Sequence, residues 1–256
     1  MSDERTCIDN CGVAFVLNAR TAASHATGKG VRVGVIDSGW DRTIANERVV
    51  QGIGLVDFND ELRLHLSTDD DDRHGHGTCC SNLVLDLAPD STIVPMRVFG
   101  RHLETSPDVL ARAIGWACEQ SLLLLNVSLG TTRADVLKYL YAACERARRA
   151  GVIIVAAASA EPEGWSYPAV FEPVIGVGSA SLDDPFDIEF TVGRAIECRL
   201  HTRGRRVRGL GSREYVSAGT SFAAPVVTGL IACWLELDST LDVTGVRERF
   251  AQLGRP

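Results

Sequence analysis

The chain has 256 residues, enough to bury the core of an α/β domain without disulfides or metals. Hydrophobic residues make up 45%, which excludes a disordered chain, and a net charge of −7 gives no general basis for binding nucleic acid. Apolar stretches such as 122–125 and 152–158 are too short to cross a bilayer, and residues 1–5 are polar, without the apolar centre of a secretory signal.

These features predict one cytoplasmic domain spanning 1–256, with no signal peptide, no membrane segment and no nucleic-acid partner. They leave the oligomeric state open. Of the eight cysteines, none falls in a paired short-spaced metal motif, so most are expected as buried thiols. Cys7 and Cys11 share a face if their segment is helical, and are the pair to test for a bridge or metal.

In chain order, 31–36 reads as a buried strand, β-branched and apolar, ending at Asp37 and Gly39. A helix is predicted over 76–87 and a strand over 92–99. Residues 107–120 form an amphipathic helix with Pro107 at its start and apolar positions at Val109, Leu110, Ala113, Ile114 and Ala117. A strand at 122–128, a helix at 135–150 closed by Gly151, and strands at 152–158 and 174–177 follow. The run 222–235 reads as a buried helix that tolerates Pro225 only in its first turn. Strands alternating with helices mean crossover connections, hence an α/β three-layer sandwich with a mostly parallel central sheet. Sites in such sheets gather beyond the carboxyl ends of the strands.

Two charged runs stand out, Asp69 to Asp72 and the arginines 199, 203, 205, 206, 208 and 213. Both read as solvated loops. The motifs between and beyond them carry chemistry. Val35-Ile36-Asp37-Ser38-Gly39, His74-Gly75-His76-Gly77-Thr78 and Gly219-Thr220-Ser221-Phe222-Ala223-Ala224-Pro225 supply an aspartate, a histidine and a serine in glycine-rich settings. A serine hydroxyl is a poor nucleophile until a histidine takes its proton, and that histidine needs an anion to fix its tautomer.

These three motifs, in this order, resemble the subtilase family of serine peptidases from about residue 21 to 237. The resemblance implies a subtilisin-like fold, hydrolysis of peptide bonds and no cofactor or metal. It assigns Asp37, His76 and Ser221 as catalytic, with His74 a solvated loop residue. Cys80 falls where some members place a cysteine beneath the imidazole. The oxyanion would be held by the Ser221 N–H. The family's donating asparagine is replaced by Ala160, and Ser159 is the nearest substitute. Asn126 matches a different asparagine of the family.

By the same resemblance, Ser128, Leu129 and Gly130 form one edge strand for a peptide or protein substrate. Leu103, Glu104 and Thr105 form the other. Ala158 walls the primary specificity pocket, with Ser166 at its base and Glu161 at its rim, and Phe222 faces the residue after the scissile bond, on the side where the arginines from Arg199 to Arg213, if not merely solvated, would hold an acidic segment. Glu104 and Glu161 suggest tolerance of basic side chains. The calcium loop and the propeptide of secreted members are not evident, which suits a cytoplasmic enzyme. Ala160 points to low raw power and a narrow processing task, such as removing a leader from a precursor peptide. The alternative is a weakly active or inactive peptide-binding scaffold on the same fold.

Overall fold

The computed structural model describes residues 14–57, 64–100, 103–159 and 165–254. In chain order its elements are β1 (Ala14–Asn18), α1 (Ala19–Ala22), β2 (Arg32–Asp37), β3 (Ile53–Asp57), β4 (Leu64–Ser67), α2 (His76–Leu87), β5 (Thr92–Arg97) and α3 (Pro107–Glu119). Then come β6 (Leu124–Val127), α4 (Leu137–Arg149), β7 (Ile153–Ala157), β8 (Val174–Ala180), β9 (Asp187–Thr191), β10 (Cys198–His201), β11 (Arg205–Arg208), β12 (Glu214–Ser217), α5 (Ala224–Leu237) and α6 (Val243–Leu253).

One ten-stranded sheet has the order β1-β9-β10-β8-β7-β6-β2-β5-β3-β4. From β10 through β8, β7, β6, β2 and β5 to β3 every neighbouring pair is parallel, while β1, β9 and β4 pair antiparallel at the two edges. Central parallel strands are covered on both faces, so they read as unbroken apolar runs whose residues alternate between two cores. In β7, Ile153, Val155 and Ala157 join the core beneath α2, α5 and α6, while Ile154 and Ala156 join the core beneath α3 and α4. The predicted three-layer α/β sandwich with a mostly parallel sheet is therefore the observed architecture.

The central strands and the long helices lie within three residues of their predicted positions. The outer strands β1, β3, β4, β9 and β10, the separate strands β11 and β12, and the helices α1 and α6 were not predicted. β9 shows one cause: its sequence Asp-Ile-Glu-Phe-Thr alternates polar and apolar residues and is half-buried, with no continuous apolar run.

The predicted helix over 222–235 is displaced. Residues Thr220–Phe222 form a separate 3₁₀ turn, and α5 begins at Ala224. Pro225 in the first turn of α5 has no N–H to give, and the chain enters from Gly219 at φ +138°, a value that L side chains rarely adopt. The span Thr220–Leu237 is 18 residues long with a mean hydropathy of 1.5, longer than the stretches singled out from sequence. It is 83% buried as the core helix between α2 and the sheet. Each large apolar side chain it removes from water contributes about 1.5–3 kcal/mol.

Candidate active site

The site assembles at the carboxyl ends of β2, β6 and β7. Asp37 closes β2 with 0% exposure, His76 opens α2, and Ser221 sits in the 3₁₀ turn ahead of α5. His76 Nδ1 lies 2.8 and 2.9 Å from the two Asp37 carboxylate oxygens, and its Nε2 lies 3.0 Å from Ser221 Oγ. Carboxylate, imidazole and hydroxyl thus form one continuous hydrogen-bonded line. The Phe222 ring packs on the imidazole at 4.9 Å between centroids, tilted by 47°. Cys80 lies beneath, its Sγ 3.7 Å from Nδ1 and donating to the Ser221 carbonyl at 3.4 Å.

Two glycines let these segments meet. A Cβ on Gly77 would stand 2.4 Å from the Gly39 carbonyl oxygen, and one on Gly39, at φ +108°, would stand 2.2 Å from that of Asp70. Backbone therefore touches backbone, and the Gly77 N–H donates to Ser38 Oγ at 2.8 Å. Asp72 secures the start of α2. Its carboxylate accepts from the N–H groups of His74, Gly75 and Thr78 and from the Thr78 hydroxyl, at 2.7 to 2.9 Å. These are donors that a helix start leaves unpaired.

On the serine side, the Asn126 side-chain amide donates to Ser128 Oγ at 2.7 Å, and that hydroxyl donates to the Ser221 carbonyl at 3.1 Å. The Thr228 hydroxyl bonds Asn126 Oδ1 at 3.0 Å, which ties the turn to α5, and the Thr220 hydroxyl donates to the Ala158 carbonyl at 2.6 Å. Sequence reasoning missed these supports. An aspartate four residues before a helix-starting histidine is a capping signal that was available for Asp72.

Three sequence expectations need correction. His74 is not a freely solvated loop residue: it is half-buried, with Nε2 3.1 Å from the Gly100 carbonyl. The acidic run is not a solvated loop either. Asp70 and Asp72 are 2% and 4% exposed because Asp70 pairs with Arg42 and accepts from the Gly52 N–H, and Asp72 caps α2. Among the arginines, Arg205 is buried, with its guanidinium donating to the Pro185 and His201 carbonyls.

A cleft of about 550 Å³ is lined by His76, Phe99, Leu103, Glu104, Thr105, Ser128, Leu129 and Gly130. A second, of about 410 Å³, adjoins Ser221 and includes Ala158, Ser159, Ser166 and Thr220 in its wall. The two predicted edges thus face one cleft, although neither 103–105 nor 128–130 forms a strand. The Ser166 hydroxyl is buried there without a hydrogen-bond partner among the described residues. Phe222 is 5% exposed, so most of its ring supports His76 and little is left to face a substrate. Ala160, Glu161, Cys7 and Cys11 lie outside the described residues.

The geometry has clear counterparts. The model of the subtilase family matches residues 28–250. The chain belongs to the subtilase family. It is a serine endopeptidase, a hydrolase that cuts within peptide or protein chains. Its relatives include a "Thermostable alkaline protease" of Halalkalibacterium halodurans, 27% identical over 96% of this chain and 69% of the relative. The "Major intracellular serine protease" of Bacillus subtilis is 28% identical over 86% of this chain and 73% of the relative. Among solved structures, a cold-adapted subtilisin-like serine proteinase superposes with a TM-score of 0.72 over 88% of this chain and 82% of its own, at 22% identity. The fold is subtilisin-like.

The electrostatics of this subtilase favour a charged imidazole. Burial works against the imidazolium, but the Asp37 carboxylate at Nδ1 outweighs it and holds the His76 pKa above its ordinary value of 6.5. With His76 as the proposed base, which must be neutral to accept a proton, activity is expected above the His76 pKa and lost below it. We expect kcat/KM to rise with pH through a midpoint above 6.5. A pH profile with its acid limb centred at or below 6.5 would contradict this.

Burial pushes the Cys80 thiol up to about 12, so it stays neutral and inert toward ordinary alkylating agents. Donor atoms of Asp37, His76 and Cys80 nevertheless lie within 4.8 Å of one another, a set able to hold a thiophilic cation at the cost of the Asp37–His76 bonds. Mercuric ion should therefore inhibit wild type slowly and spare Cys80→Ser. Equal inhibition of both would assign the sensitivity to another cysteine, Cys79 being the nearest.

Proposed function

We propose that this subtilase is a cytoplasmic, single-domain processing protease that uses Asp37, His76 and Ser221 as a catalytic triad. The observation that carries the triad is the unbroken line from the buried Asp37 carboxylate through both His76 nitrogens to Ser221 Oγ. In this reading Asp37 holds Nδ1–H, which leaves Nε2 free to take the Ser221 proton as Oγ attacks the scissile carbonyl. His76 then passes that proton to the departing amine. Water repeats the sequence to release the acyl enzyme. The acyl side of the substrate lies along 128–130 and 103–105, with its last side chain in the pocket walled by Ala158, Ser159 and Ser166.

The Ser221 N–H and the Ser159 hydroxyl are the oxyanion donors of this proposal. Loss of the asparagine donor lowers turnover in subtilisin by about 10²–10³. Restoring it, Ala160→Asn, should raise turnover by up to about 10²-fold. No gain in kcat would mean that another donor already fills the hole.

Narrow specificity follows from this low intrinsic power, since a slow enzyme depends on well-matched substrates. The cytoplasmic setting is supported by the six free cysteines among the described residues, five of them buried, and by the intracellular relative. Removal of a leader from a precursor peptide is the task that fits these features. A second reading, a peptide-binding scaffold with little turnover, rests on Ala160 alone.

Incubation with a diverse peptide library, with cleavage sites read by mass spectrometry, tests the proposal. A few sites sharing residues on both sides of the cut are expected. Broad cleavage would contradict the processing role, and no cleavage would favour the scaffold.

A further inference from the structure

The small hairpin β11–β12 stands apart from the main sheet and is unusual for this acidic chain. Its register pairs Arg205 with Ser217, Arg206 with Val216, Val207 with Tyr215 and Arg208 with Glu214. Side chains alternate across a strand, so Arg205 and Val207 turn inward, where both are buried, and Arg206, Arg208, Glu214 and Val216 form the outer face. On that face Val216 is 67% exposed; Leu210, in the turn between the strands, and the rim of Tyr215, on the inner face, are exposed beside it. Arg208 is occupied, 3.3 Å from Asp86 and opposite Glu214. Arg203, Arg206 and Arg213 are exposed and form no ion pair among the described residues.

The hairpin is anchored to the machinery. Tyr215 Oη lies 2.9 Å from Cys79 Sγ in the first turn of α2, Asn82 Nδ2 donates to the Arg208 carbonyl at 2.8 Å, and the Gly211 N–H donates to Asp41 at 2.7 Å. Strand β12 runs directly into Gly219-Thr220-Ser221, and the Gly219 N–H donates to the Thr202 carbonyl at 2.9 Å. In the proposed reading the acyl half of a substrate lies in the clefts lined by 103–105, 128–132, 157–159 and Ser166. None of the hairpin lines them. The hairpin packs instead against the start of α2, with Leu210 beside Gly75 and Tyr215 beside Cys79, so in this reading the departing half leaves on that flank of His76 and Ser221.

We propose that Arg203, Arg206 and Arg213, together with the exposed apolar side chains of the hairpin, form a docking surface for an acidic segment of the substrate, on the carboxyl side of the scissile bond. This rests on the processing reading and deepens it by naming the substrate class. At about 3.3 Å per residue, acidic residues about three to six positions beyond the cut would reach the hairpin. Three exposed ion pairs together give about a tenfold preference, weakened by salt.

The test uses full-length Ser221→Ala protein and labelled peptides that differ only in a leaving segment rich in Asp and Glu, in Asn and Gln, or in Lys. Fluorescence anisotropy should show the acidic peptide binding about tenfold tighter than the neutral one at low salt, with the gap narrowing at high salt. Arg203→Gln/Arg206→Gln/Arg213→Gln should erase that ratio, and the corresponding glutamate variant should favour the lysine peptide. The ratio is the readout, so a general loss of affinity does not imitate the result. Equal affinity for acidic and neutral peptides, or a ratio that survives the glutamine variant, would overturn the assignment. Hydrolysis of the same peptides by wild type reports the processing reading separately: charge-selective binding without cleavage supports the docking surface and contradicts that reading.

Discussion

Ser221→Ala should abolish hydrolysis, lowering kcat by about 10⁶-fold, while leaving the fold intact. The change removes one hydroxyl from a half-buried turn whose backbone is held independently. Ser128 Oγ and Cys80 Sγ both donate to the Ser221 carbonyl rather than to its side chain. Stability should therefore move by no more than about 0.5 kcal/mol. His76→Ala should cost a comparable factor, and the double variant should be no worse than either single one, because the two groups act as a unit. His74→Ala should change kcat little, since its imidazole reaches the Gly100 carbonyl and not Ser221. Turnover of a cleaved peptide and thermal unfolding check all four proteins. Multiplying losses in the double variant, or inactivation by His74→Ala with activity retained in His76→Ala, would contradict the assigned base.

Asp37→Asn should lower kcat/KM by about 10⁴-fold. Both carboxylate oxygens lie within 3 Å of His76 Nδ1, and the residue has 0% exposure, so no water can stand in for the lost charge. An amide presents an N–H to the imidazole and favours the tautomer with the proton on Nε2, the nitrogen that must accept from Ser221. Oδ1 also accepts the Ser38 N–H at 2.7 Å, and an amide oxygen can keep that bond, so the loop should remain in place. Steady-state kinetics beside a melting curve separate the two effects. A loss smaller than about tenfold in a folded variant would mean that Asp37 does not orient the base.

The layered α/β fold was legible because its central strands are buried on both faces and therefore read as apolar runs. Strands β9 and β10 carry half-polar sequences that nothing local distinguishes from loops, whereas β1 and β3, Ala-Phe-Val-Leu-Asn and Ile-Gly-Leu-Val-Asp, are short apolar runs that sequence reasoning missed. The three residues of the proposed triad stood out by their glycine-rich settings, and at Gly39 and Gly77 backbone contact requires the glycine. What positions them was not. Asp70 and Asp72 read as solvated because runs of acid usually are, yet here loop N–H groups and Arg42 turn toward them. The place of Ser221 in a 3₁₀ turn, rather than in the helix, depends on Gly219 and Pro225 acting together. Composition alone showed the arginines of 199–213 without showing which are free. Their division into Arg199 in β10, the buried Arg205, the paired Arg208 and the exposed Arg203, Arg206 and Arg213 comes from strand register and from packing on α2.

Reaction of the folded protein with a fluorophosphonate, followed by peptide mass mapping, tests most directly whether Ser221 is a nucleophile activated by His76. A single adduct on Ser221, lost in His76→Ala, is the expected result. No adduct, or one on a different residue, would contradict it.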